Sequence, residues 1–173
     1  MTWNIEHHKY PFDYWILDNF FDQKISLEIS NNFLDYDDAS WWNYNSPLEN
    51  KKTMQDWRKF SSPIYKTFQY LCSSEFIEIV KKITKVENIY PDYGLHGGGL
   101  HIHKTGGNLN IHKDYSIHPK LNLQRKFNLI IYMTPEWDVS WGGGLEFWSH
   151  DEKNNKPHKL IKTVNCSFNR AVL

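Results

Sequence analysis

The sequence predicts an α+β fold, with helices first and an antiparallel barrel or sandwich after them. Up to Tyr90, apolar residues recur at helical spacing, as in Phe76, Ile79, Val80 and Ile83. After Pro91 the texture changes to short runs of β-formers separated by Gly, Asn and Pro. These are Leu100 to His103, Leu109 to His112, Phe127 to Thr134, Leu145 to Trp148, Leu160 to Val164 and Ala171 to Leu173. Such an order, helices and then several short strands, argues for α+β. Aromatic residues make up 16% of the chain, with eight Trp, which suits a sheet-rich protein with an aromatic-lined groove.

Each element has its own signal. Tyr14 to Phe21 reads as a short strand and a turn, after which Asp22 can cap a helix with Ile25, Ile29 and Phe33 along one stripe. Asp35 to Lys52 is polar and punctuated by Asn, Asp, Ser and Pro, so it reads as a long loop with Trp41 and Trp42 at its centre. Ser62-Pro63 marks the start of a second helix, buried through Ile64, Phe68 and Leu71. A third helix follows from Ser74. Gly106-Gly107 fits a hairpin turn leading into the Leu109 to His112 strand, and Gly142-Gly143-Gly144 lets backbone pass close to a neighbour.

At 173 residues the chain is long enough for a sizeable core and reads as a single domain, 1–173. Residues 1–90 are expected to be mainly helical support and 91–173 the sheet core. Lys and Arg number 20 against 20 Asp and Glu, a balance that argues against a nucleic-acid or membrane-surface binder. Cys72 and Cys166 have no CxxC partner and read as reduced thiols of a cytoplasmic protein. No signal peptide is visible, and no stretch approaches the length of a membrane span.

Chemistry concentrates in Asn-Leu-Asn-Ile-His-Lys-Asp, residues 108–114. On a strand, side chains alternate, so His112 and Asp114 would share one face. One imidazole and one carboxylate at that spacing supply half of a metal site of the 2-His-1-carboxylate kind.

Four motifs in order resemble the Fe(II)/2-oxoglutarate-dependent dioxygenases, specifically the prolyl-4-hydroxylase-like branch. They are Gly-Gly-Asn-Leu-Asn-Ile-His-Lys-Asp (106–114), Arg-Lys-Phe-Asn-Leu-Ile-Ile-Tyr-Met-Thr-Pro-Glu-Trp (125–137), Trp-Gly-Gly-Gly-Leu-Glu-Phe-Trp (141–148) and Cys-Ser-Phe-Asn-Arg-Ala-Val-Leu (166–173). The resemblance implies a double-stranded β-helix, a jelly roll, with an N-terminal helical layer and the last two barrel strands missing from the chain. It assigns His112 and Asp114 to iron. Tyr132 takes the place of a tyrosine that hydrogen-bonds the far carboxylate of 2-oxoglutarate, with Asn128 on the same strand. His103 lines the pocket and Leu145 forms an apolar wall. Fe(II), 2-oxoglutarate and ascorbate are the small molecules it implies.

The family pattern also needs a second histidine ligand and a basic partner for the 2-oxoglutarate carboxylate. Neither is found in a matching position; His158 precedes the strand that should come first, and Arg170 reads as strand entry. The expectation is a C-terminally truncated oxygenase, inactive as it stands, that self-associates through open sheet edges. Two other readings stay open. One is a catalytically silent jelly-roll binding module. The other is a cupin-like metal protein using His101, His103 and His112. The substrate, peptidyl or small-molecule, is not readable, although Trp41, Trp42, Trp57 and Trp141 are candidates to line its groove.

Overall fold

In chain order the elements are β1 (Asn4–His8), β2 (Tyr14–Asp18), α1 (Gln23–Asn31), β3 (Trp42–Asn45), β4 (Glu49–Met54), α2 (Ser62–Leu71), α3 (Ser74–Thr84), β5 (Leu100–Ile102), β6 (Asn108–Leu109), β7 (Ile130–Tyr132), β8 (Leu145–Asp151), β9 (Lys156–Val164) and β10 (Arg170–Val172). The structure is a computed structural model that describes residues 3–173. Every sheet is antiparallel, and the chain divides into two units. Unit 1 takes residues up to 30, 111–113 and 127–173, and unit 2 takes 31–110 and 114–126.

Unit 1 is built on a sheet in the order β1-β2-β10-β7. Tyr14, Trp15, Ile16 and Leu17 of β2 are all buried, so this strand is covered on both faces and reads as a continuous apolar run. β1 is exposed, and its imidazoles cover the aromatic rings opposite them. His7 pairs with Trp15 and His8 with Tyr14, each pair stacked at 4.7 Å. A second sheet is the β8-β9 hairpin. Tyr14, Ile16, Val164 and Val172 form a core to which Tyr132, Leu145 and Phe147 add. Burying such side chains contributes roughly 1.5–3 kcal/mol each.

Asn169 clasps this unit. Its side chain accepts from the Phe21 N–H at 2.8 Å and donates to the Phe21 carbonyl at 2.7 Å. Its backbone N–H donates to the Tyr132 carbonyl at 2.8 Å, and its own carbonyl accepts from Phe20. Beside it the Arg170 guanidinium grips Asp18 through Nε at 2.7 Å and Nη2 at 2.9 Å. Arg170 opens β10, and its pairing with Asp18 ties that strand to β2.

Unit 2 pairs β3 with β4, and β4 with both β5 and β6. Helix α2 starts at the N-cap Ser61 with Pro63 in its first turn. Helix α3 starts at Ser73, whose hydroxyl accepts from the Phe76 N–H. Ile64, Phe76 and Val80 are buried, as the helical spacing predicts.

Several expectations need correction. The long loop over 35–52 is largely the β3–β4 hairpin, closed by the Ser46 hydroxyl accepting from the Leu48 and Glu49 N–H groups. All four β3 residues are exposed, so no apolar alternation marks them as a strand. In α1 the buried positions are Ser26 and Ile29, whereas Ile25 is exposed and Phe33 lies past the helix end. β1 to β4 fall within 1–90, alongside the three α-helices.

Gly106-Gly107 does not make a hairpin. β5 and β6 run in line along the same edge of β4, and residues 103–107 bulge out between them. A Cβ on Gly107 would press on the Asn50 carbonyl and on Cβ of His103, so only glycine fits. The strand expected over Leu109 to His112 stops at Leu109. β4 begins at Glu49, just after the chain turns, and Asn110 caps that turn through the Leu48 and Pro47 carbonyls at 2.8 and 3.0 Å. Residues 111–114 have no ladder to join, so His112 and Asp114 lie in irregular backbone. The alternation argument for a shared strand face does not apply to them.

Candidate functional site

Unit 1 brings two of the expected co-substrate residues together. Tyr132 ends β7 and Leu145 opens β8, and both pack on the same core. Burial, reinforced by Cys166 nearby, pushes the Tyr132 phenol up to about 12, while a hydrogen bond with the Leu145 backbone acts in the opposite sense. The phenol therefore stays protonated and able to donate. Asn128 precedes β7 in irregular, exposed chain, and His112 is exposed. The Gly-rich turn is closed by Trp137 donating to the Gly142 carbonyl at 3.0 Å, and Trp141 meets Trp137 edge to face at 5.4 Å while remaining 64% exposed.

Unit 2 holds Asp114 and His103. Arg125 approaches Oδ2 of Asp114 at 3.3 Å through Nη2. Its guanidinium lies over the Tyr115 ring, 4.6 Å from the centroid. The Tyr115 hydroxyl donates to the His96 carbonyl at 2.9 Å. Below them His118 is buried, its Nδ1 accepting from the Lys120 and Leu121 N–H groups at 3.2 and 3.0 Å. Sequence reasoning missed Arg125 and Tyr115. The one available sign was the Pro119-Lys-Leu-Asn122 turn that folds the chain back on itself.

His103 lies just past β5, at the start of the bulge. Burial and then the Lys51 ammonium lower His101 to about 4, and the same causes lower His103. The paired Trp residues separate in role. Trp41 is buried, its indole N–H donating to the Asp35 carbonyl at 2.7 Å. Trp42 is 67% exposed and lines an open cleft of about 200 Å³ with Ser40, Thr53, Met54, Gln55 and Asp56. Trp57 packs among Phe60, Tyr65 and Phe68.

The imidazole and carboxylate that His112 and Asp114 carry are donor types that Fe(II) accepts. Among the described residues no group of three or more His, Cys, Asp or Glu could hold a metal. Also among them, no helix is long and apolar enough to cross a membrane.

Residues 98–173 match the family model of the 2OG-Fe(II) oxygenase superfamily. The match makes the C-terminal part of the chain similar to that superfamily, whose oxidoreductases use Fe(II) and 2-oxoglutarate. The mixed architecture with several antiparallel sheets is consistent with this family. No curated protein matches the chain.

Proposed function

We propose that the chain carries an Fe(II)/2-oxoglutarate-dependent hydroxylase site of the prolyl-4-hydroxylase-like branch. The observation that carries the reading is the superfamily match over residues 98–173. All six residues singled out by sequence, His103, His112, Asp114, Asn128, Tyr132 and Leu145, fall inside it. His112 and Asp114 would hold the metal. Iron with 2-oxoglutarate and O2 supplies hydroxylation of an unactivated C–H bond. Tyr132, kept neutral by burial, would donate to the distal carboxylate of 2-oxoglutarate, with Asn128 as a second polar contact and Leu145 as an apolar wall. His103 would line the entrance. Turnover requires a third protein donor beyond these two, so with them alone the reading predicts chelation without hydroxylation. Ascorbate dependence, a jelly-roll closure of the sheets, a single-domain organisation and self-association through sheet edges belong to the same proposal.

Anaerobic addition of Fe(II) and 2-oxoglutarate tests it. The expected result is a weak visible charge-transfer band, lost in His112→Ala and Asp114→Ala. No band with both reagents in excess would overturn the reading. Light scattering that shows a monomer at high concentration would count against self-association.

A further inference from the structure

We infer that Arg125 is a positioning residue for the Asp114 carboxylate, set in place by a hairpin that folds back over residues 116–125. This inference rests on the reading of Asp114 as a metal ligand. The hairpin is built from backbone. Arg125 N–H donates to the Ser116 carbonyl at 2.9 Å, His118 N–H to the Leu123 carbonyl at 2.8 Å, and Asn122 N–H to the His118 carbonyl at 2.9 Å. Ile117 and Gln124 bridge between the two arms. The buried His118 ring locks the tip by accepting from two backbone N–H groups. With Arg125 opposite Ser116, the guanidinium arrives beside the residues just ahead of the hairpin, Tyr115 and Asp114.

What holds the guanidinium there is more than one charge. Its side chain is 19% exposed, against 44% for Asp114, so the cation is the better fixed partner. Tyr115 supplies the platform, and its hydroxyl is anchored on the His96 carbonyl. A guanidinium over an aromatic face is attracted by the ring quadrupole, and its planar fork keeps direction in a way an ammonium does not. Outer partners that hold a carboxylate in this way orient metal ligands. Asp114 lies in irregular backbone, and Arg125 is a partner that holds its carboxylate.

The test is Mn(II) binding to the whole chain, followed by the loss of the free-ion electron paramagnetic resonance signal. It compares the wild type with Arg125→Gln, Arg125→Lys and Asp114→Ala. Circular dichroism melts verify that each variant is folded. Expected is a loss of affinity of about tenfold or more in Arg125→Gln, partial recovery in Arg125→Lys, and loss of binding in Asp114→Ala. Arg125→Gln within twofold of wild type, or tighter than it, while Asp114→Ala loses binding overturns the inference and leaves the metal reading standing. Should Arg125→Gln not fold, Arg125→Lys decides, since full wild-type affinity there overturns the need for the fork. If the wild type does not bind Mn(II), or Asp114→Ala binds it equally well, the metal reading itself fails and takes this inference with it.

Discussion

Replacing Asn169 with Ala should cost unit 1 more than any other single polar change. Asn169 is 4% exposed and Phe21 is 5% exposed. Truncation leaves the Phe21 N–H and carbonyl without the two partners they now have at 2.8 and 2.7 Å. Each buried group left unsatisfied costs about 1–3 kcal/mol. Asn169 also has φ of 61°, a left-handed conformation that disfavours Ala by roughly 1 kcal/mol. The sum is about 3–7 kcal/mol, a large share of the roughly 5–15 kcal/mol that holds a domain together. Urea unfolding followed by tryptophan fluorescence should show the midpoint falling by about 1 M or more. Asn169→Gly relieves the backbone but not the lost bonds, so it should recover only about 1 kcal/mol relative to Asn169→Ala. A loss below about 1 kcal/mol in Asn169→Ala would refute the reasoning, because it would mean that water replaces both bonds at no cost.

Three further outcomes follow from the same physics. Trp41→Ala should destabilise by about 3–5 kcal/mol, whereas Trp42→Ala, at an exposed site, should stay within about 0.5 kcal/mol; equal losses in thermal melts would contradict their different burial. His101 has a folded-state value depressed to about 4 from 6.5 but keeps contact with solvent, so a small, screened contribution present above pH 6.5 is lost as pH falls through 4. His101→Gln should accordingly lose less stability than wild type between pH 7 and 4, measured by urea midpoints. For Tyr132 the sign is reversed. Its value is raised from 10.0 to about 12, so its contribution is intact below pH 10 and is lost as pH rises towards 12. Tyr132→Phe should flatten that alkaline decline, and an unchanged slope would show that the phenol is not shielded.

Helices α2 and α3 were legible because their starts and apolar spacing agreed, whereas the stripe expected for α1 was not the face that is buried. α3 has a serine cap and a 3.6-residue apolar stripe, and α2 has its Ser-Pro start. β3 and β1 were not legible because both are exposed on nearly every residue, and an exposed strand has no reason to alternate. β1 also spends its histidines on covering rings that lie elsewhere in the sequence. The His-x-Asp tripeptide could be found by its residue types, but the strand beneath it could not be tested from sequence. Its length depends on where β4 begins, and that is set by the Ser46 turn more than 60 positions earlier. Arg125 is a similar case. Nothing local distinguishes it from the other cations until the hairpin brings it to Asp114.

The place of β10 between β2 and β7 has a consequence for synthesis. Arg170 of β10 and Asn169 just ahead of it tie to Asp18 and Phe21 across 152 and 148 residues. A nascent chain that has emerged only to residue 160 therefore leaves one flank of β2 bare, with its apolar side chains wet. Closing so long a loop carries an entropy cost that must be met before any contact repays it. Residues 1–30 should accordingly wait, open to chaperones and to mispairing, until the segment around Ala171 clears the ribosome.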